Sequence, residues 1–282
     1  MSAAMRRPIA RFARYCLWLL PIAATAAPAP PRAMPPRRIV SLNLCADQYL
    51  LALADPGQIA ALTQFARDPE MSAAASAAQS IPTSRDTAED VVALDPDLVI
   101  TSPGRRVDTM AALAGQHYRT LELPEANSYA DIVAQIRTVA GAVGHRDRGE
   151  TLIARMNAAL ARLPKPKPHG VAAYYQRRGY LTGTGTLVDD LMKRVGLTNL
   201  AGKLNRPALS YLSLEQIVAA HPDYLVVEQS TDHVTDLGTE MLHHPALARI
   251  PRLDLPQAWT VCGGPAYVRA AQSLSEQLAR HH

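Results

Sequence analysis

Two stretches of this chain repeat one another, and the repeat limits the fold more tightly than any composition value. Glu89 to Ile100 (EDVVALDPDLVI) and Glu215 to Val226 (EQIVAAHPDYLV) align without a gap at an offset of 126 residues. Glu, Val, Ala, Pro and Asp are identical, and most other positions are conservative. Each copy places helix-spaced apolar residues behind a capping hydroxyl, Thr87 or Ser213, then turns at Pro-Asp and ends in a short apolar run suited to a buried strand. Helix, turn and strand are the units of α/β proteins in general. Two such units this far apart predict two lobes of similar plan.

The surrounding sequence continues the alternation. Arg38 to Asn43 reads as a short strand, Asp47 to Leu53 as a helix, and Gly170 to Tyr175 as a further strand. Between the copies lie two amphipathic helices, Ser128 to Val143 and Glu150 to Leu163, the second with Leu152, Ile153, Met156, Leu160 and Leu163 on one face. Pro164-Lys165-Pro166-Lys167-Pro168 stops that helix, and no Gly/Ser-rich hinge follows. A helix with a proline-stiffened exit predicts a rigid strut. The expected architecture is therefore α/β, with two similar lobes joined by a single long rigid helix. In residues, this gives an N-terminal lobe at 37–142, a connecting helix and Pro-rich exit at 143–167, and a C-terminal lobe at 168–282.

Charge bears on location and partners. The chain has 29 Lys and Arg against 25 Asp and Glu, but Arg6, Arg7, Arg11 and Arg14 precede Ala26 with no acidic residue among them. The body beyond Ala26 is thus neutral in sum, which removes the electrostatic case for nucleic acid. The basic start, the apolar run Tyr15 to Ala24 and the small residues Ala24 and Ala26 have the order of a secretory signal. That run falls short of the roughly 20 residues a spanning helix needs. Residues 1–26 are read as a signal peptide cleaved after Ala26, placing the protein in the periplasm, and 27–36 as an extended Pro-rich leader.

No G-x-S-x-G elbow, H-E-x-x-H helix or phosphate loop is present, so no catalysis and no cofactor are expected. Beyond the signal two cysteines remain, Cys45 and Cys262. They are open to three readings: a disulfide, two free thiols facing the cleft, or a soft-metal contact. Trp259 to Pro265 (WTVCGGP) carries two glycines ahead of a helix, where a backbone can approach a ligand closely. Arg67, Arg85, Arg105-Arg106 and Arg177-Arg178 cluster in loops, with Phe65, Tyr175, Tyr180 and Tyr211 nearby in sequence. Such loops suit an anionic or chelate-like ligand.

With Arg38 to Gln48 (RIVSLNLCADQ), the Ala88 to Ile100 block and Trp259 to Pro265 in hand, the chain resembles the periplasmic substrate-binding proteins of ABC importers for iron complexes and vitamin B12. These are the class III binding proteins, whose two α/β lobes are joined by one long helix, and the resemblance implies a ligand cleft between the lobes. The resemblance implies a monomer that takes a metal-chelate ligand and docks on an ABC permease dimer with its ATPase in the inner membrane. Glu89 and Glu215 match the surface glutamates that dock on the permease. Cys45, Phe65, Arg67, Arg85, Arg105, Arg177, Tyr180, Tyr211, Trp259 and Cys262 match ligand-contact positions. Thr83 and Ser102 stand where the vitamin B12 binders place tryptophan, so an arginine-lined cleft is expected to favour a ferric siderophore or haem over cobalamin. A reading from another class is an exported metal chaperone or redox protein using Cys45 and Cys262.

Overall fold

The repeat takes the same shape twice, down to single backbone angles. The computed structural model describes residues 34–231 and 233–281; the expected signal peptide, its cleavage after Ala26 and most of the leader lie outside the described residues. The first half runs β1 (Ile39–Ser41), α1 (Leu44–Leu53), β2 (Ile59–Thr63), α2 (Ala75–Ala78), β3 (Thr83–Ser84), α3 (Ala88–Leu94), β4 (Leu98–Thr101), α4 (Val107–Ala112) and β5 (Arg119–Glu122). Two helices follow, α5 (Tyr129–Val143) and α6 (Arg146–Ala161). The second half runs β6 (Gly170–Tyr174), β7 (Tyr180–Thr182), α7 (Leu187–Arg194), β8 (Leu197–Asn199), α8 (Leu200–Lys203), β9 (Leu209–Tyr211), α9 (Leu214–Ala219), β10 (Tyr224–Val227), α10 (Leu237–Glu240), β11 (Arg252–Asp254) and α11 (Tyr267–Arg280).

The two copies are α3–β4 and α9–β10. Thr87 and Ser213 cap their helices by accepting from the backbone N–H of Asp90 and Gln216. Both helices give way at a left-handed residue, Asp95 (φ 43°) and its counterpart His221 (φ 46°). The Pro-Asp carboxylate then bonds backbone at the neighbouring strand's entrance. Asp97 accepts from the N–H groups of Arg37 and Arg38 ahead of β1, and Asp223 from that of Val171 in β6. The motif thus joins a helix, its own strand and the next strand in both halves.

The first sheet has the order β3-β2-β1-β4-β5 and the second β11-β10-β6-β8, with every pairing parallel. Parallel strands need helices on both faces, and the central β4 and β10 are buried throughout. A two-stranded antiparallel ladder, β7-β9, is appended to the second half.

Helices α5 and α6 form a hairpin turned by Gly144 (φ 89°) and His145. The buried face of α6 carries Leu152, Ile153, Met156 and Leu160, as the spacing predicts. These residues belong to one apolar cluster that also holds Ile39 and Leu50 from the first half and Leu191, Leu253 and Leu274 from the second. From Met34 onward the chain is one compact unit.

The hairpin depends on a close approach at Gly149, where an added Cβ would stand 2.6 Å from the Cβ of Ala140. Gly149→Ala gains at most about 1 kcal/mol of helix propensity. Overpacking a filled interface costs roughly 1–3 kcal/mol, so the clash wins. The variant is expected to unfold at lower urea concentration than the wild type; a higher midpoint would show that α5 and α6 separate without cost.

Candidate functional site

In each sheet the strand order reverses at one point, between β1 and β4 in the first half and between β6 and β10 in the second. Loops leaving adjacent strands diverge there, and open α/β sheets bind ligands in the crevice so formed. A cavity of about 950 Å³ meets both points. It is lined by Leu42 to Cys45 after β1, Ser102, Arg105 and Arg106 after β4, Tyr174 and Gln176 at the end of β6, and Glu228 after β10. Residues 123–127 after β5 and 260–263 before α11 complete the wall. The volume lies at the upper end of the roughly 300–1,000 Å³ range of small-molecule sites.

On the first-half wall, Asn43 caps α1 by accepting from the N–H groups of Cys45 and Ala46, which fixes the loop. Arg106 sits in a left-handed conformation (φ 54°) and donates to Asp86 Oδ2 at 2.5 Å. The Asp86 side chain is wholly buried. Its Oδ1 has no partner, nor has the buried Thr101 Oγ1. Beneath this wall β1 to β4 all end on hydroxyl residues, Ser41, Thr63, Ser84 and Thr101. Asp47 lies among them and accepts from Thr63 Oγ1 at 2.5 Å and from the Thr63 N–H. Burial raises the Asp47 carboxyl to about 7 despite those bonds, and the Asp86 charge adds to the rise.

The second-half wall centres on Glu228, whose Oε1 accepts from the Tyr174 hydroxyl and from Gln176 Nε2, each at 3.0 Å. Thr182 Oγ1 in turn donates to Gln176 Oε1 at 3.3 Å. Burial, and then the Glu228 carboxylate, push the Tyr174 phenol well above its ordinary range. Tyr174 is therefore a hydrogen-bond donor, not a phenolate.

Cys45 and Cys262 are joined in a disulfide across 217 residues, with Cα atoms 5.1 Å apart. This decides among the three readings of the pair, since a bridged sulfur offers neither a free thiol nor a thiolate for soft metal. Tyr49 reinforces the closure by donating to the Gly263 carbonyl. Gly263 itself allows contact between the two halves: an added Cβ would meet the Ala126 Cβ at 2.4 Å.

Of the ligand positions expected from sequence, Cys45, Arg105 and Cys262 line the cavity. Arg105 is exposed at the rim and stands 3.9 Å from Glu125. Phe65, Arg67, Arg85, Arg177, Tyr180, Tyr211 and Trp259 are not in the lining. Arg67 donates to the Ala78 and Ile81 carbonyls, Arg85 pairs with Asp90, and Arg177 pairs with Asp236. Phe65 is exposed, and Trp259 packs on the core beside Arg269. Tyr180 and Tyr211 face one another across β7-β9 and are both exposed. They share their ladder face with cavity-lining Thr182, whereas the intervening Leu181 is fully buried.

Glu228, Tyr174, Gln135 and Asn127 were not singled out by sequence, though all line the cavity. Tyr174 and Glu228 share a signal, position at a strand's carboxyl end beside a reversal of order, which needs the sheet order to be seen; Gln135 lies on α5 and Asn127 just ahead of it, with no such signal. Glu89 and Glu215 are exposed in the first turns of α3 and α9. Ser213 Oγ donates to Glu215 at 2.8 Å, and the residue's own N–H and this hydroxyl hold its carboxyl below the usual range.

A family model described as periplasmic binding protein matches residues 39–252. The chain belongs to that family. Its members bind solutes and are not enzymes. Curated relatives named cobalamin-binding protein, from Halobacterium salinarum, are 25% identical over 221 residues, covering 76% of this chain. The match spans 60% of the length of those relatives. A periplasmic heme-binding protein from Roseiflexus in apo form superposes with a TM-score of 0.69 at 24% identity, covering 86% of this chain and 98% of that one. The periplasmic vitamin B12 binding protein of Vibrio cholerae gives 0.63 at 15%, with 87% and 98% covered. An ABC-type Fe3+-hydroxamate transport protein from Saccharomonospora viridis gives 0.65 at 22%, with 86% and 93% covered. At these identities the likeness establishes the two-lobed class III fold. No helix of this binding protein among the described residues is long and apolar enough to cross a membrane.

The raised Asp47 gives the family fold a pH dependence here. Folded Asp47 holds its proton more tightly than the unfolded chain, where the carboxyl titrates near 3.8. Its stabilising contribution is complete below that value and is lost as pH rises through about 7. Asp47→Asn keeps an acceptor for Thr63 and removes the slope. Urea unfolding at pH 5 and pH 8 should show the wild type losing more stability than the variant over that interval; equal losses would contradict a raised Asp47.

Proposed function

We propose that this protein is the solute-binding component of an ABC importer, capturing a metal chelate of the corrinoid (cobalamin) class in the periplasm for an inner-membrane permease dimer and its ATPase. The observation that carries the reading is the charge balance of the cavity. An arginine-lined cleft would favour haem propionates or an anionic ferric siderophore. The lining has two arginines, and each has a carboxylate of its own: Arg106 on buried Asp86, and Arg105 beside Glu125. The other arginines expected there are engaged elsewhere. What remains combines apolar residues such as Leu42, Leu44, Leu187 and Val261 with the amides Asn127, Gln135, Gln176 and Gln257 and the carboxylate of Glu228. Such a wall suits a ligand whose periphery is neutral carboxamides. The cobalamin-binding name of the curated relatives agrees with this choice.

In this reading Cys45, Cys262, Arg105 and Arg106 touch the ligand within the cavity, and Tyr180 and Tyr211 extend the contact at its rim. Calorimetric titration with cyanocobalamin, haem and ferric hydroxamate and catecholate chelates tests it. Cyanocobalamin should bind below about 10 μM, a limit worth roughly −7 kcal/mol, and more tightly than the others. Preference for haem or a ferric siderophore would overturn the corrinoid assignment, and no binding at all would overturn the transport reading.

Glu89 and Glu215 are assigned to permease docking. They occupy equivalent positions of the repeat and are exposed in both halves, so one protein can offer an acidic contact from each lobe. Reversing both to lysine should abolish uptake by cells while leaving solution affinity within about twofold, because rim charges govern encounter with a partner rather than a distant cavity. A matching loss of ligand affinity would count against docking.

A further inference from the structure

Glu228 is the charged group of the cavity that no cation neutralises. Its side chain is more than nine-tenths buried at the end of β10, and it belongs to the cavity lining. Both hydrogen bonds it accepts, from Tyr174 and from Gln176, fall on Oε1. No described Lys, Arg or His forms an ion pair with it. Oε2 is thus the edge presented to the ligand.

Oε2 has no donor among the described residues and is open to the cavity. A ligand that covers it without supplying a donor leaves a carboxylate oxygen buried and unpaired, which is costly, whereas a donor makes the contact favourable. Glu228 repels a second carboxylate and attracts an N–H. Its orientation is fixed on both sides. Tyr174 is 3% exposed and holds Oε1 from β6, and Gln176 is held in turn by Thr182 from β7. The group is therefore placed in advance and need not be ordered on binding.

We infer that Glu228 is a specificity-determining residue whose Oε2 accepts a hydrogen bond from a carboxamide N–H on the rim of the ligand, and so rejects chelates that carry a carboxylate there. This rests on the corrinoid reading and deepens it. Charge-assisted bonds to a carboxylate are about twice as strong as neutral ones. A site built to bond one polar group also discriminates strongly against an analogue lacking it, because its own group is then left unpaired.

The test uses cyanocobalamin and its derivatives in which a single peripheral carboxamide has been hydrolysed to carboxylate, titrated calorimetrically into wild-type protein and Glu228→Gln. At least one derivative should bind the wild type about tenfold or more weakly than the parent, and that penalty should shrink severalfold in Glu228→Gln. The derivative series on wild-type protein reads the site even if the variant does not fold. Wild-type protein that binds cyanocobalamin and every derivative within about twofold overturns this inference alone. So does a penalty that persists undiminished in a folded Glu228→Gln. Wild-type protein that binds no corrinoid overturns the corrinoid reading, and this inference with it.

Discussion

One continuous apolar core holds both halves of the molecule, and the geometry of the cavity depends on it. Helix α6 places Leu152, Ile153, Met156 and Leu160 in a cluster that reaches from Ile39 and Leu50 to Leu191, Leu253 and Leu274. Moving one half far from the other would expose this shared surface, at a cost of about 25 cal/mol for each Å² of apolar area uncovered. Polar contacts hold the same junction. Tyr267 of α11 donates to Asp190 of α7, Arg194 donates to the Tyr267 hydroxyl at 2.7 Å, and its guanidinium lies 5.1 Å from the Tyr129 ring at the start of α5. The Cys45–Cys262 bridge closes the cavity side. Such a frame resists wide hinge opening.

Within this frame, burial decides which charges a ligand meets. Asp86 and Asp47 lie behind the first-half wall, where desolvation raises both carboxyls, and Asp86 holds Arg106 by its guanidinium. Glu228 stands on the opposite wall with neutral donors only. In the corrinoid reading, a cavity whose arginines already stand beside carboxylates suits amides better than propionates. The neutral total charge of the body conceals this arrangement, because a sum over residues carries no information about which groups are desolvated together.

Local patterns made much of the fold legible. The capping hydroxyls Thr87 and Ser213, the Pro-Asp turns and the apolar face of α6 all act over a few residues, and each is found where its pattern lies. The site was less legible. Arg67, Arg85 and Arg177 follow strands β2, β3 and β6, as ligand-contact residues should, yet β2 and β3 lie away from the reversal of strand order and their loops face elsewhere. Arg177 leaves a central strand but is drawn to Asp236. Glu228 and Tyr174 sit 54 residues apart in sequence and meet only because β6 and β10 are neighbours.

The sequence by itself determined a repeated helix, turn and strand and two lobes, and it carries the pattern of an export signal, since each follows from periodicity, capping chemistry or composition within a short window. The tertiary structure alone decided that Cys45 and Cys262 are bridged, that the cavity lies where both sheets reverse their order, and that Arg106 is paired with buried Asp86 while Glu228 has no cation partner among the described residues. The physical reason is range. Propensity and patterning act between near neighbours along the chain, whereas desolvation, ion pairing and the shape of a cavity depend on which distant strands come to lie side by side.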